Sequence, residues 1–139
     1  MEIVLIEDNE AESDLIVSCL KESSDDSIKI VVIRNGEEAV EYIRENHSNI
    51  KIIILDLSLP KMKGDEILSI IKNDNKTKLL PVVIFSTSSN PDDIEKTYSL
   101  GTNSFVTKPM GIQKFKQTIK NIYDFWINHN KTVNYEVKS

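Results

Sequence analysis

Cysteine, glycine and histidine are scarce in this chain, and no basic excess offsets its acids. Of 139 residues one is cysteine, Cys19, so no intrachain disulfide is available and a reducing compartment is the natural setting. One cysteine and two histidines, His47 and His129, cannot close a zinc site of the Cys/His type. The four glycines stand at 36, 64, 101 and 111, so neither a GxGxxG nor a GxxxxGK phosphate loop can be written. Lys and Arg number 17 against 22 Asp and Glu, a net charge of −5, which gives no electrostatic reason to expect nucleic acid or an anionic membrane as partner. No apolar run approaches the roughly 18 residues of a membrane span. The start has no basic segment and turns acidic after Ile6, so a cytoplasmic, unexported chain is expected.

What is present suits a single globular domain: 40% hydrophobic and 28% charged residues over a length that can bury its own core. Five short apolar runs punctuate it: Ile3–Ile6, Ile28–Ile33, Ile52–Leu55, Val82–Phe85 and the weaker Ser104–Val106. The first four are Ile/Val-rich and nearly continuous, which is how strands buried on both faces of a parallel sheet read.

Helical spacing fills the intervals. Ala11, Leu15 and Cys19 sit four apart, which makes Cys19 a core residue; Ala39, Val40 and Ile43 share a face, as do Ile67, Leu68, Ile70 and Ile71. Asn90 suits an N-cap with Pro91 at the first helical position, followed by Ile94, Thr97, Tyr98 and Gly101 along one side. Ile112, Phe115, Ile119, Ile122 and Trp126 recur at helical intervals. A β-α unit repeated five times predicts a doubly wound α/β sandwich with a parallel sheet and right-handed crossovers. The expected domain spans 1–128, and 129–139 reads as a loosely held tail, with a strand over Val133, Tyr135 and Val137 as the minority reading.

Ligands of such sheets bind at the carboxyl ends of the strands. There the sequence places Glu7 and Asp8, then Asp56, then Ser86 and Thr87, then Lys108 and Pro109. Three convergent carboxylates repel, by roughly 4 kcal/mol per pair about 4 Å apart at an effective dielectric near 20, so the cluster needs a cation. Magnesium fits, because it takes one or two carboxylates and keeps waters for a phosphorylated substrate. An ammonium and a hydroxyl beside Asp56 complete a set that stabilises a phosphoryl group in transfer, with a carboxylate as nucleophile. Taken singly, each residue has a plainer reading. Asp8 reads equally as a helix cap, Ser86 as part of a polar loop and Lys108 as a solvated lysine; His47 and His129 read as helix-end residues. The coincidence at four strand ends carries the inference.

This pattern resembles the receiver domains of bacterial response regulators. The resemblance rests on Glu7-Asp8, on the stretch from Asp56 through Pro60 to Gly64, on Val82 to Ser86 and on Gly101 to Pro109, all in order from residue 2 to about 128. It implies a flavodoxin-like (βα)5 fold with strand order 2-1-3-4-5. By resemblance Asp56 is the phosphoacceptor, and Asp8 a direct magnesium ligand with Glu7 acting through water. The Ser58 backbone carbonyl is a further ligand, Ser86 and Lys108 bind the phosphoryl group, and Phe105 is the switch aromatic. A cis Lys108–Pro109 peptide is implied too. Thr87 stands where a smaller residue is usual, and Ser86 replaces threonine. The run from Phe85 to Ile94 and the pair Phe125-Trp126 resemble single-domain regulators that accompany phytochrome-type histidine kinases.

The implied function is a stand-alone receiver, not an enzyme, taking phosphate from a histidine kinase or phosphotransfer protein in a magnesium-dependent relay. It would signal by protein contacts to a downstream target, with a homodimer through helix 4, strand 5 and helix 5 as a further expectation. The alternative is a magnesium-dependent phosphohydrolase with an aspartyl nucleophile. Such enzymes usually carry a second Asp two residues after the first, where this chain has Ser58.

Overall fold

A computed structural model describes residues 1–133. The apolar runs form β1 (Glu2–Ile6), β2 (Lys29–Ile33), β3 (Ile50–Leu55), β4 (Val82–Ser86) and β5 (Ser104–Thr107). The helices are α1 (Glu10–Ser23), α2 (Gly36–Asn46), α3 (Gly64–Lys72), α4 (Pro91–Ser99) and α5 (Ile112–Tyr123). A 3-10 turn (His47–Asn49) follows α2, and a π-helical segment (Asp124–His129) continues α5. All strand pairs are parallel, in the order β2-β1-β3-β4-β5. This is the flavodoxin-like arrangement expected. Of the alternating series Val133, Tyr135 and Val137, the last two lie outside the described residues.

Side chains of a strand point alternately to opposite faces, so each nearly continuous run feeds two cores. Val4, Ile6, Ile53, Leu55, Val82 and Ile84 pack with Ala39 and Ile43 of α2 and with Ile67, Leu68 and Ile71 of α3. On the other face Ile3, Leu5, Ile52, Ile54, Val83 and Phe85 meet Ile16, Cys19 and Leu20 of α1 and Phe115, Ile119 and Ile122 of α5. Three helices begin on asparagine caps. Asn9, Asn35 and Asn90 each accept a hydrogen bond from a backbone N–H of the first turn, at Glu12, Glu38 and Asp92.

Several expected core positions shift. In α1 the buried stripe is Ser13, Ile16, Cys19 and Leu20, while Ala11 is exposed and Leu15 half-buried. A series spaced strictly by four drifts around a helix of 3.6 residues per turn, and the 3-4 alternation of Ser13, Ile16 and Leu20 holds the face better. In α4 only Thr97 is buried, and Tyr98 is 50% exposed. Ile112 is also exposed, at the first position of α5. The edge strand β2 is mostly half-buried, unlike β1, β3 and β4, because a neighbouring strand covers only one side of it.

Gly64 opens α3 directly against the end of β3. Its N–H donates to the Leu57 carbonyl at 3.1 Å. A Cβ there would collide with the Asp56 carbonyl oxygen and lie 2.7 Å from Leu57 Cα, both backbone atoms that cannot swing aside. Gly64→Ala is therefore expected to cost about 1–3 kcal/mol in denaturant unfolding, the range of a forced overpacking. It should also displace the amide resonances of Asp56 and Leu57 in the folded protein.

Candidate functional site

The parallel ladder extends one residue past three strands and so aims the polar side chains. Glu7 N–H donates to the Ile33 carbonyl and Asp56 N–H to the Ile6 carbonyl, each at 3.1 Å, and Lys108 N–H donates to the Ser86 carbonyl at 2.7 Å. Glu7, Asp8 and Asp56 then each bring one carboxylate oxygen within 4.8 Å of the others. Glu7 and Asp56 are buried, and Asp8 is exposed. Asp8 is not the helix cap, since Asn9 fills that role. Two buried carboxylates and one open to water form an all-oxygen donor set of the kind a hard, partly hydrated cation takes. Asp8, Ser58 and Ser86 line one cleft of about 630 Å³ with Lys63, Asp65 and Lys96 on its rim.

Lys108 closes the other side. Its side chain is 6% exposed, and Nζ lies 2.8 Å from Glu7 Oε1, 2.6 Å from Glu12 Oε1 and 3.6 Å from Asp56 Oδ1. It also stands 5.7 Å from the centroid of the Phe85 ring. Burial pushes this ammonium's pKa down, but hydrogen bonds to Glu12 and Glu7 and the charges of Asp56 and Glu7 outweigh that and leave it raised. Glu7 shows the opposite balance. Desolvation lifts its carboxyl, Lys108 pulls it back, and the charge of Asp56 adds to the rise, leaving it at about 7 against an ordinary 4.5.

The other predicted residues sit around this core. Ser86 is buried, and its hydroxyl oxygen accepts the Ser88 N–H at 3.2 Å. Thr87 is exposed. Phe105 is half-buried on β5 and packs against the Val82/Ile84 side of the sheet. The expected cis peptide is corrected: Lys108–Pro109 is trans, as are the other described peptide bonds. Trans is the lower-energy form before proline by about 0.5–1 kcal/mol. With the Lys108 backbone already paired to Ser86, the side chain reaches Glu7 and Glu12 from that geometry. Neither histidine joins the site: His47 Nδ1 lies 3.2 Å from the Arg44 carbonyl oxygen and His129 pairs with Asp124.

Sequence reasoning missed Glu12 and Thr107; Ser88 it placed, by resemblance, where family members tune the phosphoryl lifetime. Glu12 touches Lys108 more closely than any other acid, yet Asn9-x-x-Glu12 reads as a helix-start motif and hides it. The loop after β4 is pinned by Thr107, whose hydroxyl donates to the Ser88 carbonyl at 2.9 Å, and by Ser88 donating to Asp93 at 2.6 Å. A serine and threonine pairing across 19 residues leaves no local signal.

Fold and site together define a doubly wound α/β domain with an acidic pair, a strand-end aspartate and a buried lysine gathered at the carboxyl edge of its sheet. The family model described as "Response regulator receiver domain" matches residues 3–120, and the chain belongs to that family. It is 34% identical to the probable methanogenesis regulatory protein FilR2 of Methanothrix harundinacea, over 94% of this chain and 86% of that one. It is 35% identical to the response regulator Rcp1 of Synechocystis sp., over 90% and 88%. The solved manganese-bound form of Rcp1 superposes with a TM-score of 0.86 at 31% identity, covering 95% of this chain and 98% of that one. The phosphorylated cyanobacterial phytochrome response regulator RcpA superposes at 0.89 with 39% identity, covering 94% and 96%. Among the described residues no helix is long and apolar enough to cross a membrane.

The raised Glu7 carboxyl has a thermodynamic consequence in metal-free solution. Between about 4.5 and about 7 the folded protein holds a proton that the unfolded chain releases. This contribution to stability is therefore full below pH 4.5 and is lost as pH rises through 7, by on the order of 3 kcal/mol. Denaturant unfolding across that window, compared between the wild type and Glu7→Gln, should show the decline in the first and its absence in the second.

Proposed function

We propose that this chain accepts a phosphoryl group on Asp56 from a histidine kinase or phosphotransfer protein and signals by protein contacts. The observation that carries the reading is Asp56, buried at a strand end, with Glu7 and Asp8 within 4.8 Å and the Lys108 ammonium 3.6 Å away. An Asp56 oxygen attacks phosphorus, the bond from phosphorus to the donor's leaving group breaks, and an aspartyl phosphate remains. Lys108 offsets charge on the phosphoryl oxygens, and the Ser86 hydroxyl donates to one of them. Asp8, Asp56, the Ser58 carbonyl and, through water, Glu7 would hold magnesium. Bound there, the cation supplies the positive charge that lets the carboxylates and the phosphoryl group share one site. The manganese-bound Rcp1 and the phosphorylated RcpA support both parts of the reading.

The same reading makes residues 1–128 the receiver and 129–139 a tail, working in the cytoplasm as a phosphoacceptor and not as an enzyme. Its similarity to a phytochrome response regulator supports a phytochrome-type kinase as donor. Phosphorylation would draw Ser86 toward Asp56 and let Phe105 turn inward, changing the face made of α4, β5 and α5. That face is where a target or a second copy would bind.

Incubation with magnesium and a small acyl phosphate, followed by intact mass, should add one phosphoryl group to the wild type and none to Asp56→Asn. Turnover of many equivalents would favour the phosphohydrolase instead. Magnesium titration followed by NMR should move the Asp8 and Asp56 amides. Asp8→Ala should weaken that binding by about tenfold or more, as loss of one charged ligand does.

A further inference from the structure

We propose that Glu12 is a positioning residue for Lys108, a carboxylate that holds the ammonium back from Asp56 until a phosphoryl group draws it across. The idea rests on the receiver chemistry argued above and adds a residue to it. An ammonium has three protons to donate. Two of them meet Glu7 Oε1 at 2.8 Å and Glu12 Oε1 at 2.6 Å, while Asp56 Oδ1 at 3.6 Å is beyond good hydrogen-bond reach. In this state Lys108 leans toward β1 and α1 and away from the acceptor.

Glu12 is at the third position of α1, where a glutamate ordinarily folds back onto the N–H of the capping residue. Here that N–H is taken: Asn9 N–H donates to Glu7 Oε2 at 3.2 Å. With the reciprocal half of the capping box occupied by Glu7, the Glu12 carboxylate is spent on Lys108. The third proton is free to turn toward a phosphoryl oxygen on Asp56, and an ammonium drawn across to it would loosen its hold on the two carboxylates. Glu7 is 2% exposed and Glu12 is 27% exposed, so water can replace the lysine at Glu12 far more cheaply. Glu12 is thus the releasable partner, and its charge sets how readily Lys108 is recruited.

The test uses the full chain with magnesium and beryllofluoride as the phosphoryl mimic. Glu12→Gln should tighten beryllofluoride binding by about threefold to tenfold, the effect of one partly exposed ion pair. In the Lys108→Ala background the same change should give a factor near one, because Glu12 acts only through the lysine. Glu10→Gln, which removes an equal charge from the same turn without touching Lys108, should do little. The Lys108 side-chain ammonium resonance should shift in Glu12→Gln before any ligand is added, which reports the contact itself, while the background comparison tells positioning from a structural role. An equal gain in both backgrounds, no gain with Lys108 present, or an unmoved ammonium resonance overturns the proposal. A wild type that takes neither beryllofluoride nor a phosphoryl group overturns the receiver chemistry itself.

Discussion

A buried ammonium must be surrounded by acceptors, and Lys108 finds them only by spanning the sheet. It leaves the end of β5, passes the Phe85 ring on β4 and reaches Glu7 after β1 and Glu12 on α1. In the order β2-β1-β3-β4-β5, two strands separate its origin from Glu7. Neighbouring strands are about 4.8 Å apart, so the contact needs two long side chains extended toward each other. Breaking it would leave Glu7 buried without its counter-charge, a defect that typically costs about 3–5 kcal/mol. The ion pair therefore ties the first and fifth β-α units together beside Asp56, at the carboxyl edge of the sheet.

The rest of the molecule divides into a stiff part and a loose one around that tie. β1, β3 and β4 are buried on both faces and backed by α1 and α5 on one side and α2 and α3 on the other. On the far edge, β5 is half-buried and α4 buries one residue, Thr97. Elements with few buried contacts open at the least cost. The loop from Ser86 to Asn90, which joins these halves, is held by small hydroxyl contacts among Ser86, Ser88, Asp93 and Thr107. Ser86 enters this set through the Ser88 N–H, and Ser88 in turn joins Asp93 at the start of α4 to Thr107 at the end of β5.

The strands and the acids were legible in the sequence for the same reason. Runs such as Ile52–Leu55 are dense enough that a charged residue at their end stands out, so Asp56 and Glu7 could be named from spacing alone. The division of each run between two faces was not legible, because Ile3 and Val4 are equally apolar and only the packing assigns one to each core. The α1 stripe was misread for a related reason: Ala11 and Leu15 make a tidy series, and the true stripe includes Ser13, a polar residue buried by bonding to the Glu10 carbonyl. Glu12's role depends on a contact between segments about 100 residues apart, where local pattern carries no information, while the cis expectation at Lys108–Pro109 came from resemblance and not from the local preference, which is trans.

Charge balance gives the site its chemical direction. Glu7, Glu12 and Asp56 surround one ammonium, and Asp8 adds a fourth carboxylate beside them. Even with Glu7 protonated the cluster keeps more negative than positive charge. On the proposed reading a phosphoryl group on Asp56 would make that excess larger, and the single charge of Lys108 would not offset it. A divalent cation would relieve that excess, and this part of the proposed reading follows from the sum of charges before any ligand geometry is considered. Asp8 is the carboxylate left open to water, so it is the one a cation arriving from solvent would reach first. Asp56 and the Lys108 side chain are buried, where an attraction between lysine and a phosphoryl oxygen would be stronger than in water.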